Sequence, residues 1–406
     1  MQAVPHLSSG FSPDEPLAIM VHVSADPALQ RSRIGLIATL LSTRQSYRGA
    51  GLHTYSYQLL RHLPREGRRL GYAAFVNDPD YAPPDDVALH RAPRWSQRPA
   101  LRIAWEQAAL PLAARRQGVD LLHGLAYILP LAAGMPGVVT VHDLTFRLFP
   151  EAFAPGNRLY LSTMTAVSCR RARRVIAVSE ATARDVERLL HVPRERIDVV
   201  YNGVDDCFVQ RSRPDVDTYR REAGWPERFI LSVGTIEPRK NYLALLDAYA
   251  LYRQRATTAV PLLIGGGRGW DYEAVFAHVA ALALEPHVRF LGFVPGDVLP
   301  WLYNAASLFV YPSFYEGFGL PLAEAMACGV PAITTTASSL PEVAGSAAIT
   351  VAPRDAEALA SAMIAVLGDA DRQDAMRQAG LVQSERFRWP VAAAATAVVY
   401  ERALGR

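Results

Sequence analysis

Short apolar runs with almost no polar interruption recur along this chain, each followed by a longer amphipathic stretch. Ile34–Leu41, Val138–His142, Val175–Val178 and Ile197–Val200 make one series. Phe229–Val233, Val260–Ile264, Val288–Leu291, Leu308–Tyr311 and Pro331–Thr334 make a second. A strand with one wet face alternates apolar and polar residues, whereas a near-continuous apolar strand is buried on both faces, as in a parallel sheet covered by helices. Helical spacing follows the first run, with Leu59, Leu60 and Leu63 on one side of Thr54–Leu63. Strand–helix alternation predicts an α/β fold, with ligands at the carboxyl ends of the strands.

The two series and a length of 406 residues, half of them hydrophobic, predict two domains with separate cores. The expected division is an N-terminal extension over 1–33, a first domain over 34–208, a second over 209–385, and a C-terminal helix over 386–406 that packs back on the first domain. Within the extension, Leu17–Val23 reads as an extra strand or as part of a loose segment. Tyr201–Gly224 is polar, contains Asn202-Gly203 and Pro214, and reads as the connection between domains. Leu121–Val141 is long enough to cross a bilayer, but Pro130, Gly134, Pro136 and Gly137 interrupt it, so it reads as strand, loop, strand.

A net charge of +3 is too small for a dedicated nucleic-acid binder. Cys169, Cys207 and Cys328 are far apart and form no paired motif, which fits a reducing, cytoplasmic setting. The first residues lack a basic start followed by an apolar run, so no secretory signal is expected. Arg170-Arg171-Ala172-Arg173-Arg174 follows the apolar stretch Leu159–Cys169. It reads either as a peripheral membrane surface or as a solvated helix end.

The most informative stretch runs from Tyr311 to Pro331. A strand ends near Tyr311 and a loop with Gly317 and Gly319 follows. Pro321 suits a first helical turn, Gly329 a helix end, and Pro331 forbids continuation. Gly317, Phe318, Gly319 and Leu320 therefore sit at a helix start whose N–H groups face a phosphate. Glu316 precedes the loop, and Glu324 is expected in the first turn after it. Carboxylates accept strong hydrogen bonds from sugar hydroxyls, so one can serve a transferred sugar and the other a ribose. Arg239 and Lys240, in Gly234-Thr-Ile-Glu-Pro-Arg-Lys-Asn241, follow the strand Phe229–Val233, where phosphate is expected. Gly265-Gly266-Gly267 is either a turn or a ligand loop. Ser339-Leu-Pro-Glu342 matches a helix capping box and needs no other role.

In the first half, Arg48-Gly49-Ala50-Gly51-Leu52 opens a helix with a glycine-rich turn, though it is not a dinucleotide fingerprint. His142 and Asp143 end a strand at the cleft side; His142 is expected to contact a reacting sugar, with Asp143 orienting it or stabilising the loop. His123, Ser179 and Glu180 are further cleft candidates. Asp78-Pro79-Asp80 has the spacing of a metal-binding DxD motif but reads as a turn. A helix start with Lys240 and Arg239 can stabilise a leaving diphosphate, so no obligatory metal and no other cofactor is expected.

These motifs resemble those of the large retaining glycosyltransferase family 4: two glutamates separated by seven residues, Glu316 and Glu324, with Glu-Gly-Phe-Gly-Leu-Pro, Glu-Pro-Arg-Lys-Asn and Ser-Leu-Pro-Glu-Val-Ala-Gly around them. The resemblance covers nearly the whole chain after Ile34. It implies the GT-B fold, two Rossmann-like domains with parallel sheets facing a central cleft. It also implies a nucleotide-sugar donor, a carbohydrate or lipid-linked acceptor, and retention of anomeric configuration. By it, Lys240 binds the diphosphate with help from Arg239, Glu316 contacts the donor sugar, Glu324 holds the ribose, Val294 lies near the base, and Gly49 and Gly51 approach donor phosphate and acceptor. The Glu-Pro-Arg-Lys-Asn form is similar to that of the family's mannosyltransferases, which makes GDP-mannose the first donor to consider and a UDP-sugar the second. One position departs: many members carry arginine directly after the glycine equivalent to Gly234, where this chain has Thr235. The alternatives are a sugar-nucleotide epimerase or phosphorylase of similar fold, or a catalytically silent nucleotide-sugar-binding subunit.

Overall fold

The computed structural model describes residues 32–41, 50–67 and 69–406. Its first sheet contains β1 (Arg33–Ala38), β2 (Gly71–Val76), β3 (Val87–Arg91), β4 (Leu121–Gly124), β5 (Gly137–Val141), β6 (Arg174–Ala177) and β7 (Ile197–Val199). The second contains β8 (Ile230–Val233), β9 (Leu262–Gly265), β10 (Val288–Gly292), β11 (Leu308–Tyr311), β12 (Ala332–Thr335) and β13 (Ile349–Val351). Every pairing is parallel. The orders are β3-β2-β1-β4-β5-β6-β7 and β10-β9-β8-β11-β12-β13. Strand order reverses between β1 and β4 in one sheet and between β8 and β11 in the other. In each, the loops leaving the two central strands diverge to opposite faces and open a crevice at their carboxyl ends.

Central strands are buried throughout, as their apolar runs require; β5 and β11 have no exposed position. Three strands carry little sequence signal. β2 is Gly-Tyr-Ala-Ala-Phe-Val, poor in β-branched residues. β3 and β13 are edges with half-exposed positions. The expected connection Tyr201–Gly224 is shorter than anticipated, because Arg213–Glu222 is a helix. Ser212 caps it by accepting from the Asp215 N–H, Pro214 occupies its first turn, and Val216 joins the core. Tyr219 stacks on Trp301 with ring centroids 4.8 Å apart. The first-half helix starts at Ala50, ahead of the expected Thr54, so Gly51 lies inside it, with no atom near enough to touch an added Cβ. Arg48, Gly49 and Leu17–Val23 lie outside the described residues.

The chain crosses between the halves twice, and the crossings touch. The Val204 N–H donates to the Phe387 carbonyl at 2.8 Å. A Cβ on Gly203 would lie 2.4 Å from the Trp389 nitrogen, so only glycine fits there. The final helix, Trp389–Leu404, then packs Trp389, Ala393 and Tyr400 into the first half, against Leu59, Leu60 and Leu63 of Ala50–Glu66. His123, a cleft candidate by sequence, is instead fully buried beneath this helix. Its Nδ1 lies 2.7 Å from the Tyr400 hydroxyl and its Nε2 2.8 Å from Thr140 Oγ1. Burial, reinforced by nearby His142, drops its pKa to about 3, so the ring is neutral. The basic run is largely occupied by protein. Arg174 holds Asp198 through two bonds of 2.7 Å, and Arg173 donates to the Ala403 carbonyl at 3.0 Å. Among the described residues, no helix is long and apolar enough to cross a membrane.

Replacing Tyr400 with Phe leaves a buried imidazole nitrogen unpaired. We expect a loss of about 1–3 kcal/mol of stability. A urea denaturation series should show a lower midpoint with an unchanged slope.

Candidate active site

The loops after β8 and β11 meet at the strand-order reversal of the second sheet. From the β8 side, Pro238–Lys240 forms one tight turn that ends with Asn241 in the left-handed region, φ 60°. The Asn241 amide donates to the carbonyls of Pro312 and Pro353, at 3.0 and 2.6 Å, and so ties this turn to the β11 loop. Arg239 and Lys240 are thereby aimed at Glu316.

Glu316 is buried and accepts three hydrogen bonds. Lys240 Nζ donates to Oε1 at 2.6 Å, the Tyr311 hydroxyl donates to Oε1 at 2.7 Å, and an Arg239 nitrogen donates to Oε2 at 2.9 Å. Lys240 also donates to the Tyr311 oxygen at 2.7 Å, which closes a ring. Burial alone would raise the Glu316 pKa, but the Arg239 and Lys240 charges outweigh it and hold the carboxyl at about 2. The same burial lowers the Lys240 pKa, with Glu316 pulling it the other way. The permanently charged guanidinium of Arg239 at 2.9 Å and the Lys240 contact at 2.6 Å keep Glu316 ionised. Arg239 further binds Glu237 at 2.7 and 3.0 Å and the Tyr315 carbonyl at 2.8 Å. It therefore shapes the loop as well as charging it.

The helix Leu320–Ala327 starts directly after Gly319, which adopts φ 104°. A Cβ at Gly319 would also press on Leu340, at 2.9 Å. Pro321 lies in the first turn and Gly329, φ 70°, follows the end, as the sequence indicated. Glu324 is the fifth residue of this helix, just past the first turn in which it was expected. It accepts from the Tyr303 hydroxyl at 3.1 Å, and desolvation raises its pKa to about 7. Phe318 presents only backbone to the site: its ring is a core element 5.3 Å from that of Phe387. Val294 lies over the end of β9, where an added Cβ on Gly265 would meet its Cγ2 at 3.0 Å. Gly266 packs on the backbone of Gly234, with 1.9 Å from an added Cβ to the Gly234 oxygen.

The first half contributes His142 and Asp143 from the end of β5. His142 Nε2 donates to the Leu125 carbonyl at 2.8 Å, which leaves Nδ1 as the acceptor. Burial lowers its pKa, so the ring is neutral near pH 7. Tyr55 lies edge-on at 4.6 Å between ring centroids. Asp143 stabilises the loop, accepting from the Thr145 N–H at 2.9 Å. Asp78 likewise accepts from the Asp80 N–H at 2.9 Å and closes a turn. Gly317 lies directly against this loop: a Cβ there would stand 1.7 Å from the His142 carbonyl oxygen. Beside the Arg239–Glu237 pair a cavity of about 430 Å³ opens between the halves. Tyr127, Phe146, Phe149, Tyr160 and Trp270 supply aromatic surface, and Glu106, Asp143 and Glu237 supply carboxylates.

Several participants carry no distinct sequence signal. Tyr311 reads as a strand end and Tyr303 as a helical core residue, yet their hydroxyls hold Glu316 and Glu324. Ser339-Leu-Pro-Glu342 is not a capping box. Ser339 Oγ lies 2.9 and 2.8 Å from the carbonyls of Glu316 and Phe318, and Glu342 reaches into the first half. The helix there is only Leu340–Ala344, which leaves both side chains free for tertiary contacts.

Both halves of the chain resemble known proteins. Residues 215–382 match the family model described as Glycosyl transferases group 1, and residues 49–207 match that of Glycosyltransferase Family 4. O-antigen chain mannosyltransferase B of Escherichia coli is 36% identical over 58% of this chain and 63% of its own length. A D-inositol 3-phosphate glycosyltransferase of Thermobispora bispora is 32% identical over 58% of this chain and 57% of its own. The chain thus spans about three fifths of these relatives. Sucrose-phosphate synthase from Thermosynechococcus elongatus superposes with a TM-score of 0.72 at 21% identity, over 92% of this chain and all of that one. HepE of Anabaena, solved with UDP and glucose, gives 0.70 at 22% identity, over 91% of this chain and all of that one. The fold is GT-B, and with both halves matched by their own family models the chain belongs to the family 4, group 1 glycosyltransferases.

Proposed function

We propose that the chain is a metal-independent, retaining hexosyltransferase that moves mannose from a nucleoside diphosphate to a glycan hydroxyl. The convergence of Lys240, Arg239 and Glu316 beside the helix start at Gly317–Leu320 carries this reading. Cations and free N–H groups suit a diphosphate, and carboxylates on either side suit sugar and ribose hydroxyls. The name of the Escherichia coli relative supports mannose, with GDP-mannose as first choice and a UDP-sugar as second.

In this reading the leaving diphosphate lies between Lys240 and the helix start, which stabilise its growing charge without a metal. Glu316 orients the sugar and, by its bond to Lys240, keeps the ammonium in place. His142 offers Nδ1 as an acceptor to a sugar hydroxyl. The acceptor enters the cavity beside Arg239, where aromatic rings and Glu106 recognise a sugar. Burial raises the pKa of Glu106 against the opposing effects of Thr39 and Arg102. The acceptor hydroxyl then attacks on the face that the diphosphate leaves, and the diphosphate takes its proton; no side chain is assigned as covalent nucleophile. Holding both substrates in this geometry supplies about 7–11 kcal/mol of the barrier reduction.

Calorimetric titration with GDP-mannose and UDP-sugars tests the donor site. One donor should bind, and more tightly as pH rises through about 7, because Glu324 must ionise to hold the ribose. Affinity at pH 6 should be about tenfold below that at pH 8. Glu324→Gln should abolish the dependence, and failure of every nucleotide sugar to bind would remove the donor assignment. Lys240→Ala should lower kcat by about 10²–10³-fold. Glu106→Gln should raise the KM for acceptor while leaving that for donor unchanged, measured in a two-substrate assay.

A further inference from the structure

The donor loop is held from both sides by one reciprocal set of hydrogen bonds. From the first half, Ser179 Oγ donates to the Gly317 carbonyl at 2.6 Å, and Thr182 Oγ1 donates to the same oxygen at 3.0 Å. From the second half, the Glu342 carboxylate accepts from the N–H groups of Glu180 and Ala181, at 2.9 and 3.0 Å. These are the first two amides of the helix Glu180–Leu190. Ser179 caps the third, from Thr182, at 3.0 Å, and the first intrahelical bond follows, from Ala183 to the Ser179 carbonyl at 2.9 Å. The three N–H groups of the first turn, which have no intrahelical partners, are thus satisfied, two of them by a carboxylate from the other half. The helix dipole favours that negative charge.

Glu342 sits three residues after Ser339 and four after Ser338. Both serines bind the Glu316 carbonyl, and Ser339 also reaches that of Phe318. A single segment therefore grips the donor loop from behind and the first half from in front. The serine bonds brace the loop within the second half, and the Glu342 bonds cross to the first.

We infer that Glu342, with Ser179 and Thr182, is a closure latch that positions the Glu316–Gly319 loop for transfer only while the two halves are together. This rests on the donor reading of that loop. Separating the halves strips the Gly317 carbonyl of both hydroxyls and the helix of both acceptors at once, so the loop and the closed arrangement are set or lost together. Glu342 and Ser179 are positioning residues, acting through the loop and not on substrate.

The test compares wild type with Glu342→Ala, and with Glu342→Gln, which keeps one acceptor oxygen. Ser179→Ala and Ser179→Ala/Glu342→Ala complete a double-mutant cycle with wild type and Glu342→Ala. Small-angle scattering of the unliganded chain should show a larger radius of gyration for Glu342→Ala and an intermediate one for Glu342→Gln. The kcat for transfer should fall by about tenfold or more, while GDP or UDP, whichever wild type binds, keeps its Kd within about threefold. The Ser179 and Glu342 effects should be strongly non-additive. Unchanged kcat and scattering would overturn the latch, as would additive effects. A Glu342→Ala loss confined to melting temperature, with kcat per folded molecule intact, would reduce Glu342 to a structural role. If wild type binds no nucleotide, the donor reading fails, while the scattering comparison still decides whether Glu342 holds the halves together.

Discussion

A buried carboxylate bound by two cations and a phenol organises the second half of this protein. Glu316 stands where the loops from β8 and β11 converge, and removing its charge from water is compensated only because Arg239, Lys240 and Tyr311 all reach it. Those three side chains come from a tight turn on one side of the strand-order reversal and a strand end on the other. The ion network therefore sets the distance between the loops. It also keeps two cations at the end of the sheet in a poorly solvated place, where an anionic ligand gains most from them.

The network also explains why the helix start beyond it is usable. Gly319 and Gly317 allow the backbone to turn in close quarters, one against Leu340 and the other against the His142 carbonyl. Ser338 and Ser339 occupy the carbonyls behind the loop, and Ser338 also accepts from the Glu316 N–H at 3.1 Å, so the loop is held rigid by satisfied backbone groups.

The two halves are joined at a narrow waist, where the crossings at Val204 and Phe387 bond to each other and Gly203 packs on Trp389. The final helix buries its apolar face in the first half, so that half is completed by a distant stretch of chain. Tyr201 links this waist to Glu342: its ring stands 5.7 Å from that of Phe387 and its hydroxyl donates to the Glu342 carboxylate at 3.3 Å, beside the bonds from Glu342 to the helix Glu180–Leu190.

Much of this was legible in the residues themselves. Uninterrupted apolar runs announced parallel strands because both faces of such strands are covered, and Pro321 and Gly329 marked a helix because their backbone preferences are local. The same local logic located Glu316, Arg239 and Lys240 in the loops after strands and Glu324 in the helix that follows. It missed β2, whose alanines and glycine carry no strand preference, and β3 and β13, whose edges are half exposed. It misread Ser339 and Glu342 as a capping box, since spacing along a chain cannot distinguish a bond within a turn from one to another domain. His123 looked like a cleft residue and is a buried strut beneath Tyr400, 277 residues away. The sequence by itself determined which segments form strands and helices and which loops carry charge, because those depend on neighbours within a few residues. Only the tertiary structure decided which charges pair, which hydroxyls hold the Glu316–Gly319 loop and where the halves touch, because those depend on groups that folding alone brings within hydrogen-bonding distance.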